Sequence, residues 1–235
     1  MFNSVLPPTC LLCAEPVQES GQFCVACFNK LSFVTPPICA CCGGRTVNGV
    51  GTDEQLCEAC CASPRAFHQA RAVLRYDAVA RRLILPLKYQ DRSEIAVALA
   101  HLMYRHWPAL FKGVEVIVPV PLHPARLRQR RYNQAALLAT SLAKHTGIPA
   151  RLDLLRRCRP TRALAGMSAS QRREELLDAI LLKPGAQVAG RVFMLVDDVI
   201  TTGTTAHHCA LALRAGGAAR VEVLTIARVE DPRQS

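Results

Sequence analysis

Apolar positions change period several times after residue 70, and each change marks a new element. Residues 72–76, Ala-Val-Leu-Arg-Tyr, read as a strand, and 78–87 read as an amphipathic helix that continues despite Pro86. A second helix covers 93–106. Gly113 then interrupts the pattern ahead of a strand at 114–121, Val-Glu-Val-Ile-Val-Pro-Val-Pro, which its prolines bring to an end. A helix follows over 133–146 and Gly147 stops it. After Gly190 and Arg191, an uninterrupted apolar run at 192–196 suits a parallel strand covered on both faces. It leads to a helix at about 206–214 and a last strand at 221–227. Strands alternating with helices predict an α/β fold built on a parallel sheet, with its site beyond the carboxyl ends of the strands.

The first 65 residues show no such periodicity and are dominated by cysteine. Ten of the chain's twelve cysteines lie before residue 62. Cys10-x-x-Cys13 and Cys24-x-x-Cys27 form one pair of knuckles, and Cys39-x-x-Cys42 and Cys57-x-x-Cys60 form another. Each knuckle brings two sulfurs within about 2.3 Å of one ion, so two knuckles complete the tetrahedron of structural zinc. Redox dithiols or isolated core thiols do not account for four knuckles in series. Two structural Zn²⁺ sites are therefore expected, with sequential or interleaved pairing both open. Cys41 and Cys61, each beside a knuckle, are bystanders or replacements for a neighbouring ligand. Cys158 and Cys209 read as small buried thiols. The abrupt fall in cysteine density places a boundary near Pro64, giving a small zinc-ribbon-like module at 1–65 and an α/β domain at 66–235. The module has few apolar residues, so metal binding supplies much of its folding free energy.

A length of 235 residues accommodates one standard domain and such an appendage. Residues 1–8 lack a basic segment followed by an apolar run, and no later stretch holds about 18 uninterrupted apolar residues. A soluble, cytoplasmic protein without membrane insertion is expected. The formal charge of +11 attracts polyanions, which include both nucleic acid and a small substrate with several phosphates.

Chemistry concentrates in Phe193-Met194-Leu195-Val196-Asp197-Asp198-Val199-Ile200-Thr201-Thr202-Gly203-Thr204-Thr205. Two acids stand where the strand is expected to end, and small hydroxyls surround a glycine at the start of a helix. Successive N–H groups and hydroxyls wrap a phosphate at such a helix N-terminus, while paired carboxylates hold sugar hydroxyls or a hydrated Mg²⁺. The run resembles the phosphoribosyl pyrophosphate (PRPP) signature of type I phosphoribosyltransferases. Neither a Walker A sequence nor a G-x-G-x-x-G fingerprint follows a strand here.

A second constellation, residues 119–134, leaves its strand through a proline turn and becomes strongly basic at Arg126, Arg128, Arg130 and Arg131. Planar guanidinium forks bind phosphate oxygens bidentately and suit a cover over a departing pyrophosphate. A solvated basic loop is the plainer reading of the same residues. His207-His208 reads as helix surface, because adjacent helical residues point apart. Arg156-Arg157-Cys158-Arg159 reads as a solvated turn.

Together the knuckles, Leu87-Lys88-Tyr89, the Val-Pro-Val-Pro-Leu-His-Pro turn, Arg131-Tyr132-Asn133-Gln134 and the signature resemble the ComF family, which includes ComFC and GntX-like proteins. The resemblance implies a type I phosphoribosyltransferase-like parallel sheet behind a double zinc module, in a family associated with competence and DNA uptake or utilisation. It implies that Thr201, Thr202, Gly203, Thr204 and Thr205 hold the 5-phosphate of PRPP, that Asp197 and Asp198 bind ribose hydroxyls with Mg²⁺ present, and that Lys88 contacts pyrophosphate. Arg128, Arg130 and Arg131, with Arg126, become the cover. The chain departs from the family pattern at Leu164 and Glu175, so the family's substrate contacts around 161–180 are not carried over, while the phosphate signature stays intact. The implied reaction is transfer of phosphoribose to a nitrogen acceptor. A non-catalytic PRPP or nucleotide sensor, and an adaptor contacting single-stranded DNA and uptake proteins, are the alternatives. An aromatic content of 5% gives the adaptor little stacking surface. Acceptor and oligomeric state are not encoded in any pattern found.

Overall fold

The computed structural model describes residues 7–46, 55–89, 93–122, 124, 127–128, 132–158 and 180–230. Two short helices, α1 (Val25–Phe28) and α2 (Glu58–Ala62), each start within a knuckle, with Cys24 and Cys57 as N-caps and Cys27 and Cys60 inside the helix. The α/β part contains β1 (Gln69–Arg75), α3 (Ala78–Tyr89), α4 (Ser93–His106), β2 (Val116–Pro119), α5 (Gln134–Thr146), β3 (Leu155–Arg157), β4 (Ile180–Leu182), β5 (Val192–Ile200), α6 (Thr204–Ala215) and β6 (Arg220–Arg228). A four-stranded sheet runs in the order β1-β6-β5-β2, with every pairing parallel. This is the parallel α/β architecture that the alternation of strands and helices predicts.

Period-two alternation sends the strand side chains into two cores. Met194, Val196, Leu224, Ile226 and Ile117 face α3, α4 and α5, where Leu83, Leu87, Leu99, Met103, Leu138 and Leu142 close the layer. Phe193, Leu195, Val221, Val223, Val116 and Val118 face the other way, against Cys209, Ala210 and Leu213 of α6 and Leu155 and Ile180 of a small hairpin. Asn133 caps α5 by accepting the Ala135 N–H at 3.1 Å and donates to the Val120 carbonyl at 3.0 Å, fastening the proline turn to the helix. Gly147, at φ +75°, ends that helix in the left-handed conformation.

Both sheet edges are covered, as exposed parallel edges require. Beyond β2, the Ile117 N–H donates to the Pro149 carbonyl and the Arg151 N–H donates to the Ile117 carbonyl, both at 2.9 Å. Beyond β1 lies the cysteine-rich segment. The Val34 N–H reaches the Val73 carbonyl, the Arg75 N–H the Ser32 carbonyl and the Ala70 N–H the Cys41 carbonyl, at 2.8, 2.8 and 2.6 Å. Trp107 Nε1 donates to Ala72 at 2.9 Å and Arg71 donates to Ala40 at 3.0 Å, adding side-chain ties along the same edge.

Several expectations need correction. The signature strand does not stop at Val196 but continues to Ile200, because Asp197, Val199 and Ile200 pair with Thr225, Ala227 and Arg228 of β6. The helix after it begins at Thr204 and ends at Ala215 rather than spanning 206–214. The strand expected over 114–121 is confined to Val116–Pro119. Arg156 and Arg157 belong to β3, which pairs antiparallel with β4, and are not a turn. Cys158 is exposed rather than buried, whereas Cys209 is buried as expected. His208 is 5% exposed and therefore lies inside, not on the helix surface.

Candidate functional site

Two four-cysteine clusters form among the described residues, Cys10 with Cys13, Cys24 and Cys27, and Cys39 with Cys42, Cys57 and Cys60. Pairing is thus sequential and not interleaved, and neither Cys41 nor Cys61 belongs to a cluster. Within each cluster the sulfurs lie within 4.8 Å of one another, and Cys13–Cys24 and Cys42–Cys57 stand at 3.6 Å. A zinc tetrahedron with bonds of about 2.3 Å needs sulfur separations near 3.8 Å, so both sets fit structural zinc. The Cys42 and Cys57 N–H groups point at the Cys39 sulfur at 3.4 and 3.2 Å, and Cys24 N–H at the Cys10 sulfur at 3.3 Å, which favours thiolate. Side-chain hydrogen bonds from Cys42 and Cys60 also hold the Cys39 thiol far below its ordinary range.

The second candidate site sits where β5 hands over to α6. A cavity of about 100 Å³ is lined by Asp197, the segment 199–206, and Val223 and Thr225 of β6. Gly203 caps α6 at φ +74°, a left-handed corner that lets the chain turn from strand into helix and that disfavours any side chain. The first-turn N–H groups of α6 lack intrahelical acceptors by the geometry of any helix start, and they converge on this loop. Thr202 Oγ1 and Thr204 Oγ1 are 2.7 Å apart, which places two hydroxyls side by side at the mouth. The Asp197 carboxylate accepts the Asp198 N–H and the Asp198 carboxylate accepts the Val199 N–H, each at 2.8 Å. Both acids are half-buried, as are Thr204 and Thr205, while Thr201 and Thr202 are exposed. Burial, reinforced by the nearby Asp197 charge, pushes the Cys209 thiol beneath the loop well above its ordinary range, so it stays protonated.

The arrangement supplies a donor-rich helix start beside the Asp197 carboxylate, which suits an anion carrying hydroxyl groups. The cavity brings together Asp197, Thr201, Thr202, Gly203, Thr204 and Thr205, whereas Asp198, next along β5, is not among its lining residues. Lys88 lies in the last turn of α3. Arg128 is exposed, whereas Arg126, Arg130 and Arg131, like Leu164 and Glu175, lie outside the described residues. Three residues at this corner had no signal in the motif. Thr225 and Val223 line the cavity through parallel pairing with β5, and Phe67 approaches Gly203 from below. Only the strand pattern at 221–227 hinted at the first two.

Residues 1–61 match the double zinc ribbon domain family. The chain is 36% identical over 152 residues to competence protein F of Haemophilus influenzae, covering 62% of this chain and 66% of that protein. It is 31% identical over 229 residues to the DNA utilization protein YhgH of Salmonella typhi, covering 95% of this chain and 98% of that protein. Among solved structures, it is similar to a hypoxanthine phosphoribosyltransferase from Staphylococcus aureus, with a TM-score of 0.39 and 13% identity over 64% of this chain and 73% of that one. No helix among the described residues is long and apolar enough to cross a membrane.

Proposed function

The chain belongs to the ComF family, and from that membership we propose that it binds Mg²⁺-PRPP in the cradle before α6 and transfers the phosphoribosyl group to a nitrogen acceptor. The observation that carries this reading is the convergence of Asp197 and the 201–205 loop on one small cavity around a left-handed glycine, with Asp198 next along the same strand. The loop N–H groups and threonine hydroxyls hold the 5-phosphate, and the two carboxylates receive the ribose hydroxyls. An acceptor nitrogen attacks C1 of the ribose, forming the C–N bond as the C1–O bond to pyrophosphate breaks. The carboxylates stabilise the positive charge that develops on the sugar, and their fixed placement removes most of the reorganisation cost.

Asp197 and Asp198 offer the hard oxygen donors that Mg²⁺ prefers, and the ion, bound with PRPP, neutralises charge on the pyrophosphate. In this reading Lys88 and the arginines Arg126, Arg128, Arg130 and Arg131 approach the pyrophosphate and exclude water, which otherwise attacks the same carbon. Residues 1–65 act as the zinc module and 66–235 as the phosphoribosyltransferase-like domain. The names of the relatives link this chain to competence and DNA utilisation, where the zinc module and basic surface are the parts available to DNA or uptake proteins. Incubating the zinc-loaded protein with Mg²⁺-PRPP and a panel of nitrogen bases tests catalysis. Acceptor-dependent pyrophosphate release is the expected outcome. Saturable PRPP binding without pyrophosphate release in the presence of any acceptor would leave a sensor in place of an enzyme.

A further inference from the structure

The segment joining the second zinc ribbon to β1 passes directly under the phosphate loop. It leaves the ribbon four residues after Cys60, runs beside α6, and enters β1 at Gln69. Three contacts hold it. The Ala66 N–H donates to Nδ1 of His207, in the first turn of α6, at 3.0 Å. The His68 N–H donates to the Val221 carbonyl at 2.8 Å. Between them Phe67, only 3% exposed, packs with Ile200, Ala206 and Cys209. The edge of its ring lies 3.7 Å from the position a Gly203 Cβ would occupy, with Ile200 at 3.6 Å on the same corner. The His207 N–H in turn donates to the Gly203 carbonyl at 2.8 Å.

Gly203 is the least self-sufficient part of the cradle. A glycine at φ +74° pays the largest entropy cost for being fixed, and the loop before it is exposed. Something outside the loop must hold that corner if its N–H groups are to be preorganised for a phosphate. Phe67 supplies a floor beneath the corner, and His207 clamps the first helical turn to the linker.

We infer that Phe67 and His207 are positioning residues of the phosphate loop, so that the linker emerging from the second zinc ribbon sets how tightly the cradle holds its phosphate. The inference rests on the reading of that loop as a PRPP cradle, but the floor and the clamp exist independently of the ligand. They give the zinc module a mechanical connection to the site rather than a merely adjacent place.

The test uses full-length, zinc-loaded protein and two variants at each position. Phe67→Ala removes the floor and Phe67→Leu refills most of it. His207→Ala removes the acceptor, and His207→Asn places an oxygen near the position of Nδ1. Titration with Mg²⁺-PRPP should show roughly tenfold to hundredfold weaker binding in the two alanine variants. Binding should largely recover in Phe67→Leu and His207→Asn, with zinc content unchanged in all four. Alanine variants that bind as the wild type does, or conservative variants that fail as badly, would overturn the inference. Amide hydrogen exchange over residues 200–207 of the ligand-free protein reads the same contacts without PRPP. Faster exchange confined to that segment in Phe67→Ala supports the positioning role, and unchanged exchange contradicts it. If the wild type bound no PRPP yet the exchange result held, the ligand would be wrong and the coupling right.

Discussion

Each zinc cluster has one half-buried ligand, Cys24 in the first and Cys57 in the second, but the first also exposes Cys13, whereas Cys39, Cys42 and Cys60 of the second are all buried. The two ribbons use one ligand spacing, yet the first stands against helices and the second is wedged onto the sheet. Gly43 of the second shows how close the fit is, since a Cβ there would come within 2.5 Å of the Ala70 carbonyl oxygen. Arg228, at the end of β6, donates to the Cys42 carbonyl at 2.8 Å and lies 3.6 Å from its sulfur. The first ribbon's ties are lighter, among them the Arg82 guanidinium on the Leu12 carbonyl at 2.8 Å. The same metal motif therefore serves as an appendage in one place and as part of the sheet edge in the other.

Removing one ligand from each cluster is the strongest way to break this comparison. Cys39→Ser and Cys13→Ser should each lower zinc content from two ions to one, measured by elemental analysis. Structural zinc contributes apparent binding free energy on the order of 10 kcal/mol, so either ribbon unfolds locally. Only Cys39→Ser should also uncover β1 and lower the melting temperature of the α/β part, by about 10 °C or more. Equal melting temperatures for the two variants would show that the ribbons are equivalent.

Arg228→Ala sharpens the contrast without touching a ligand. Losing a charge-assisted bond to Cys42 should cost about 2 kcal/mol and speed release of one zinc to a chelator, leaving the other rate unchanged. Acceleration of both rates would contradict the assignment of Arg228 to the second ribbon alone.

The smallest effect is at Asp77, which joins the segment between the ribbons to the core. Its carboxylate accepts the Val79 and Ala80 N–H groups at 2.9 and 2.8 Å, capping α3, and the Ser32 hydroxyl at 2.6 Å. Asp77→Ala should destabilise the protein by about 1 kcal/mol. Burial alone pushes this carboxyl upward, but the hydrogen bonds from Ser32, Ala80 and Val79 outweigh it and hold it below the ordinary 3.8. Its folded-state value is depressed, so its stabilisation is complete above that ordinary value and fades as pH falls through the folded one. The melting-temperature gap between wild type and Asp77→Asn should accordingly shrink on acidification below about pH 4. A gap constant to strongly acidic pH would rule out the hydrogen-bonded carboxylate as its source.

Much of this organisation was legible because it is local. The helices at 93–106 and 133–146 follow from apolar period and from Gly147, and the knuckles follow from cysteine spacing. Asp197 and the threonine loop meet at one cavity because they are neighbours in sequence. What escaped depends on distant partners. The extension of β5 to Ile200 is stabilised by β6, and the β3–β4 hairpin joins residues more than twenty positions apart. His208 is buried, and Cys158 exposed, because of what packs around each rather than because of its own neighbours in sequence. Phe67 carries no motif at all, and its role follows only from the path of the linker under Gly203.

The most direct measurement is calorimetric titration of zinc-loaded protein with Mg²⁺-PRPP, beside Asp197→Asn with Asp198→Asn. The account predicts saturable binding at one site per chain and an affinity at least about a hundredfold lower in the double variant, which lacks the two carboxylates proposed to contact the ribose. Equal affinities, or no binding by folded wild-type protein with both zinc ions in place, would contradict it.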